Sequence, residues 1–101
     1  MTIKQGQIWE VYTPQKTARR EVVVVSSNKI NRTAKWYQVV PLDDANSGRK
    51  HPFDVRVRGK NVAIDLISTL PETLFINKKD STTTNEFEDI RNALFQLFSS
   101  V

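Results

Sequence analysis

From Gln7 to Ile76 the chain is a series of short strand-forming runs, joined by connections too brief to hold a helix. Such a rhythm favours an antiparallel barrel over a parallel sheet, because parallel neighbours need long crossover helices. Gln7 to Tyr12 partly alternates apolar and polar residues and is rich in strand formers, and Pro14 breaks it. Glu21 to Ser26 is a run of four valines with polar ends. Four β-branched residues in succession favour a strand covered on both faces. Asn28 to Lys35 reads as a polar turn with room for one helical turn. Trp36 to Val40 is a further strand, stopped by Pro41, and Asp43 to Lys50 reads as a mobile loop. Phe53 to Arg58 alternates cleanly, which turns Asp54, Arg56 and Arg58 outward. Gly59-Lys60-Asn61 forms a tight turn into Val62 to Ile67, and Leu74 to Ile76 is the last short strand.

The C-terminal segment changes period. Thr83 or Asn85, with Glu86 or Glu88 three residues on, offers a capping box. Phe87, Ile90, Leu94, Leu97 and Phe98 then recur at helical spacing, and acids crowd the helix start, where the dipole favours them. The helix is expected over roughly Glu86 to Phe98. Phe95 lies off the centre of this stripe, at an angle that suits a partner contact or the stripe's edge. The expected fold is mainly β: an antiparallel barrel of five to six strands with one C-terminal α-helix. A chain of 101 residues suits a single domain over 1–101.

Composition narrows the chemistry. Cysteine is absent and His51 is the only histidine, so thiolate nucleophiles and multi-histidine metal sites are excluded. Only a carboxylate site, such as one for Mg²⁺, remains open. The opening residues lack the apolar core of a signal peptide, and no apolar run approaches a membrane span, so a soluble cytoplasmic protein is expected. Charge is uneven: residues 1–60 carry 12 basic and 5 acidic side chains, and residues 61–101 carry 3 and 6. A basic front half suits an anionic partner, either nucleic acid or an acidic protein segment. Arg56 and Arg58, with Arg49 and Lys50 nearby, suggest a phosphate-binding stripe or simply an exposed strand face. Trp9 and Trp36 suit the core of so small a domain, or stacking on bases. His51, in a polar loop, is a candidate general acid.

The order of these pieces resembles a known family. Gly6-Gln7-Ile8-Trp9-Glu10-Val11 is similar to the Gly-x-Ile-Trp-x-Val opening of MazF/PemK-type toxins. Arg20 to Ser27 resembles their Arg-Pro-Val-Leu-Val-Val strand, and Asn31-Arg32 the Asn-Arg pair that follows. Val39-Val40-Pro41-Leu42 resembles their Val-Val-Pro-Ile strand, and Asp65 to Leu70 their Asp-Gln-Ile-Arg-Thr-Ile segment. The likeness runs in order from about Lys4 to Phe75. The helix from Glu88 to Phe98 is similar to that of CcdB-type gyrase poisons of the same superfamily, although Ser99-Ser100-Val101 replaces their Trp-Gly-Ile ending.

The resemblance implies an SH3-like barrel, a homodimer and an acidic antitoxin partner. It also implies cleavage of single-stranded RNA without metal or cofactor, through attack of a ribose 2′-hydroxyl on the neighbouring phosphate. Arg20 matches the family's catalytic arginine, whose planar fork suits phosphate oxygens. Asp65 matches a carboxylate that some members use as base, and Asp43 is a second candidate base. His51 is carried with them as acid, and Arg19, Arg32, Arg49, Lys50, Arg56 and Arg58 as RNA-contacting cations. Asp43 stands where the family usually has Thr or Ser, Glu21 where it has Pro, and Ala63 and Ser68 where some members carry arginines. These departures support a second reading: a non-catalytic barrel that binds a host protein or nucleic acid.

Overall fold

The computed structural model describes residues 2–44 and 54–99. Strand β1 (Gln7–Tyr12) pairs antiparallel with β2 (Arg19–Val24), joined by a loop in which the Lys16 N–H donates to Thr13 O at 2.7 Å. Helix α1 (Asn28–Ala34) follows, capped by the Ser27 hydroxyl, which accepts from the Ile30 N–H. It makes seven residues of helix from the stretch expected to hold a single turn. Buried Asn31 fixes it to the sheet: its Nδ2 donates to Ser26 O at 3.1 Å, and the Ser26 Oγ accepts from the Gln38 N–H at 3.2 Å.

Strand β3 (Trp36–Asp44) is the longest and serves three partners. It pairs with β2 along one edge. Along the other, its first half pairs with β6 (Ser68–Pro71) and its second half with β5 (Lys60–Val62). Strand β4 (Val55–Val57) forms a hairpin with β5 through Arg58 and Gly59, at φ 51° and 80°. Positive φ at both central residues suits the tight turns whose twist matches a hairpin. Strand β7 (Phe75–Ser81) pairs with β1, giving a sheet ordered β4-β5-β3-β2-β1-β7, with β6 added on β3. All pairings are antiparallel. Seven strands are described against the five or six expected, because Val62 to Ile67 is not one strand. It breaks into a 3₁₀ turn over Ile64–Leu66, and β6 begins after it.

Helix α2 (Thr84–Ser99) is the expected C-terminal helix. Thr83 and Glu86 close its capping box: Thr83 N donates to Glu86 Oε1 at 2.7 Å, and Glu86 N to Thr83 Oγ1 at 3.1 Å. No described helix is long and apolar enough to cross a membrane.

The pleat sends alternate residues to two apolar clusters. Trp9, Val11, Val22, Val24, Tyr37, Val39 and Phe75 are among those of one cluster, with Trp9 and Tyr37 both edge-on to Phe75. Ile8, Val23, Val40, Val57, Val62 and Ile64 belong to the other, which α2 covers with Ile90 and Ala93. The valine run is thus buried on both faces, as its composition predicts. Trp9 is core, whereas Trp36 is half-exposed. Phe87, Leu94 and Leu97 pack against the helix-side cluster, but Phe98 of the expected stripe is 68% exposed and Phe95 72%.

Candidate active site

Strand register assembles the site. The last recorded rung between β2 and β3 is Glu21 with Leu42. Arg20 and Asp43 are the next residues along each strand, so the pleat turns both to the opposite face. There Arg20 Nη2 donates to Asp43 Oδ1 at 2.8 Å. The pair is open to solvent, with side-chain exposures of 43% and 24%. A groove of about 200 Å³ opens beside it, and its walls include Tyr12, Pro14, Pro41, Leu66 and Ser68. A strong cation lining an apolar groove suits an anionic ligand that also carries flat apolar groups, while the carboxylate against it offsets that charge and stands ready as a proton acceptor.

The other candidate residues divide by position. Arg19, next to Arg20, lies over the Tyr12 ring at 5.5 Å from its centre, and its Nη1 is 4.0 Å from Glu10 Oε1. Asp65 is half-buried on the 3₁₀ turn. It precedes Leu66, which walls the groove, but does not itself line it. Arg32 lies with Lys35, Tyr37 and Glu72 around a second cleft at the other end of β3. Arg56 is exposed on β4. His51, Arg49 and Lys50 lie outside the described residues, as does most of the expected Asp43 to Lys50 loop. The structure describes Asp43 and Asp44 as the end of β3 instead.

Arg58 stands apart from Arg20, tied into the scaffold. From the β4–β5 turn its Nη2 donates to Ser81 O at 2.6 Å and to Glu86 Oε1 at 3.2 Å, and its Nη1 pairs with Asp80. The guanidinium bridges β7 and the start of α2. Both acids are held below the usual carboxylate range. For Asp80 the first cause is the Ser81 N–H, with Arg58 after it; for Glu86 it is the Thr83 N–H, again followed by Arg58. Lys60 pairs similarly with Glu21 on the face away from Arg20. Among the described residues no group of three His, Cys, Asp or Glu side chains is placed to hold a metal ion.

A family model of the PemK-like, MazF-like toxins of type II toxin–antitoxin systems matches residues 4–98. The chain belongs to this family. Solved structures agree on the fold of this MazF-like toxin. A mycobacterial endoribonuclease in complex with its cognate antitoxin is 19% identical, with 99% of this chain and 96% of that one covered at a TM-score of 0.83. A MazE–MazF complex from Deinococcus radiodurans is 16% identical, covering 100% and 99% at 0.82. The Mycobacterium tuberculosis toxin MazF-mt6 is 13% identical, covering 94% and 98% at 0.77. No curated protein matches the sequence.

Arg20 and Asp43 each stand out in the sequence, but their pairing does not, nor do the groove walls, Tyr12, Pro14 and Leu66 among them. The pairing was within reach: two antiparallel strands with Val22 opposite Pro41 put Arg20 beside Asp43. The walls were not, since they come from the end of β1, the loop after it and a 3₁₀ turn that resembles a strand in sequence.

Proposed function

We propose that this toxin is a metal-independent endoribonuclease that cleaves single-stranded RNA and is neutralised by an acidic antitoxin. The observation that carries the reading is Arg20, held at the mouth of an apolar groove with a carboxylate beside it. Membership of a toxin family supports it, as do the basic front half and the fold shared with an endoribonuclease bound to its antitoxin. An unstacked nucleotide suits such a groove, its base against Tyr12 or Leu66 and its phosphate on Arg20.

The chemistry follows from the substrate. The ribose 2′-oxygen attacks phosphorus as its proton passes to a carboxylate, Asp43 or Asp65. The bond to the 5′-oxygen breaks, and that oxygen takes a proton. The products are a 2′,3′-cyclic phosphate and a 5′-hydroxyl. Arg20 faces the charge that gathers on the phosphoryl oxygens in the transition state, where a preorganised donor has most effect. Arg19 and Arg56, with Arg32, Arg49 and Lys50, would track the flanking backbone, with His51 a candidate proton donor. A homodimer would place two such sites on one particle.

The deciding experiment incubates purified protein with a panel of single-stranded RNAs in excess chelator. Cleavage leaving cyclic phosphate ends, with matching DNA untouched, is expected. If no RNA is cut while the fold is intact, the non-catalytic binding reading takes its place.

A further inference from the structure

We propose that Asp43 is the resting counter-ion of Arg20, and that an RNA phosphate binds by displacing it. The proposal rests on the reading of Arg20 as the phosphate ligand. The contact is built into the sheet: Arg20 and Asp43 follow the Glu21–Leu42 rung on one face, at the spacing where cross-strand side chains meet. It involves a single bond, Nη2 to Oδ1 at 2.8 Å, and no other bond or ion pair engages Arg20 among the described residues. The nearby acid Glu21 faces the other way and is held by Lys60. Asp43 therefore cancels much of the attraction that the groove mouth offers an anion.

The pair is also weak enough to open. Both groups reach solvent, where screening and side-chain freedom limit an ion pair to about fivefold in an equilibrium constant. A phosphodiester carries the same single charge and two oxygens in a fork that matches guanidinium, so exchange of one anion for the other is close to balanced. The carboxylate released by this exchange remains beside the bound phosphate. In the resting chain Arg20 stays paired and oriented, and only a ligand anchored elsewhere along the groove has the added affinity to displace Asp43.

The test measures binding, not cleavage. A labelled pool of single-stranded 2′-deoxy oligonucleotides, which lack the attacking hydroxyl, is titrated by fluorescence anisotropy against wild type, Asp43→Asn, Asp43→Ser, Arg20→Ala and the Arg20→Ala/Asp43→Asn double variant. Circular dichroism checks that each is folded. Both Asp43 variants should bind about fivefold tighter than wild type. Their salt dependence should steepen by about 0.7 in slope, since a phosphate on Arg20 no longer replaces an existing ion pair. In the Arg20→Ala background the same Asp43 change should give little gain. Unchanged affinity in both Asp43 variants overturns the proposal, as does an equal gain with and without Arg20, or no binding by any variant. RNA cleavage by wild type without the Asp43 effect would remove this inference and leave the ribonuclease reading standing. Absence of cleavage alone would do the reverse.

Discussion

Arg20 has the most demanding chemical role proposed for any side chain here, and its replacement is the sharpest residue-level test. Arg20→Ala should lower cleavage by on the order of 10²–10³ while weakening substrate binding far less, because the charge it offsets is largest in the transition state. Arg20→Lys should restore only part of the rate, since an ammonium is a point charge without a fork. Single-turnover rates, with binding measured separately, distinguish the two effects. Asp43→Asn and Asp65→Asn, compared in the same assay, identify the proton acceptor as the one whose loss abolishes turnover in a protein that still binds. Arg20 was legible in the sequence, from the strand that resembles the family's. Arg58 was not legible in its structural role. Alternation places it on an outward strand face with Arg56, but the strand stops at Val57. Arg58 instead turns the corner at φ 51°, and its side chain reaches back to β7 and α2. A residue's partners across a barrel depend on where each strand ends, and periodicity places those ends poorly.

At the scale of elements, helix α2 is the most legible piece and also the most local in its causes. Its capping box and its apolar repeat lie within one segment, so sequence alone locates it to within two residues. The stretch from Val62 to Ile67 shows the opposite case. A short apolar run fits a strand or a helical turn equally, and here the need to bury Ile64 beneath α2 makes it 3₁₀. Removing the cap by Thr83→Ala should cost about 1 kcal/mol, read from the urea midpoint. The Arg58 bridge adds a pH dependence of known sign. Asp80 and Glu86 are held below their ordinary values in the folded chain. Their contribution is therefore complete above the unfolded carboxylate range and is lost as pH falls through the depressed folded values. Urea midpoints measured from neutral pH down through the carboxylate range should drop steadily for wild type. Arg58→Ala should begin lower at neutral pH and fall less steeply, since part of the depression goes with the guanidinium.

For the whole molecule, Phe95 and Phe98 remain exposed near the end of α2, although the sequence places Phe98 in the buried stripe. Light scattering at high micromolar concentration should give a dimer mass, and a monomer mass would count against the assembly proposed above. The way the sheet divides its side chains also governs how the molecule opens. Val22 and Val24 face one cluster while Val23 faces the other, and Val39 and Val40 divide in the same way. Both strands feed both clusters, so opening either strand disturbs the packing on both sides of the sheet at once. Amide hydrogen exchange should show this: the protected N–H groups of β2 and β3 should all exchange through one global opening. Ile90→Ala leaves a cavity on the helix side only and should cost about 2–5 kcal/mol. It should nonetheless speed exchange at Val22 and Val39 as much as at Val23 and Val40, while amides at the C-terminal end of α2 exchange early in either protein.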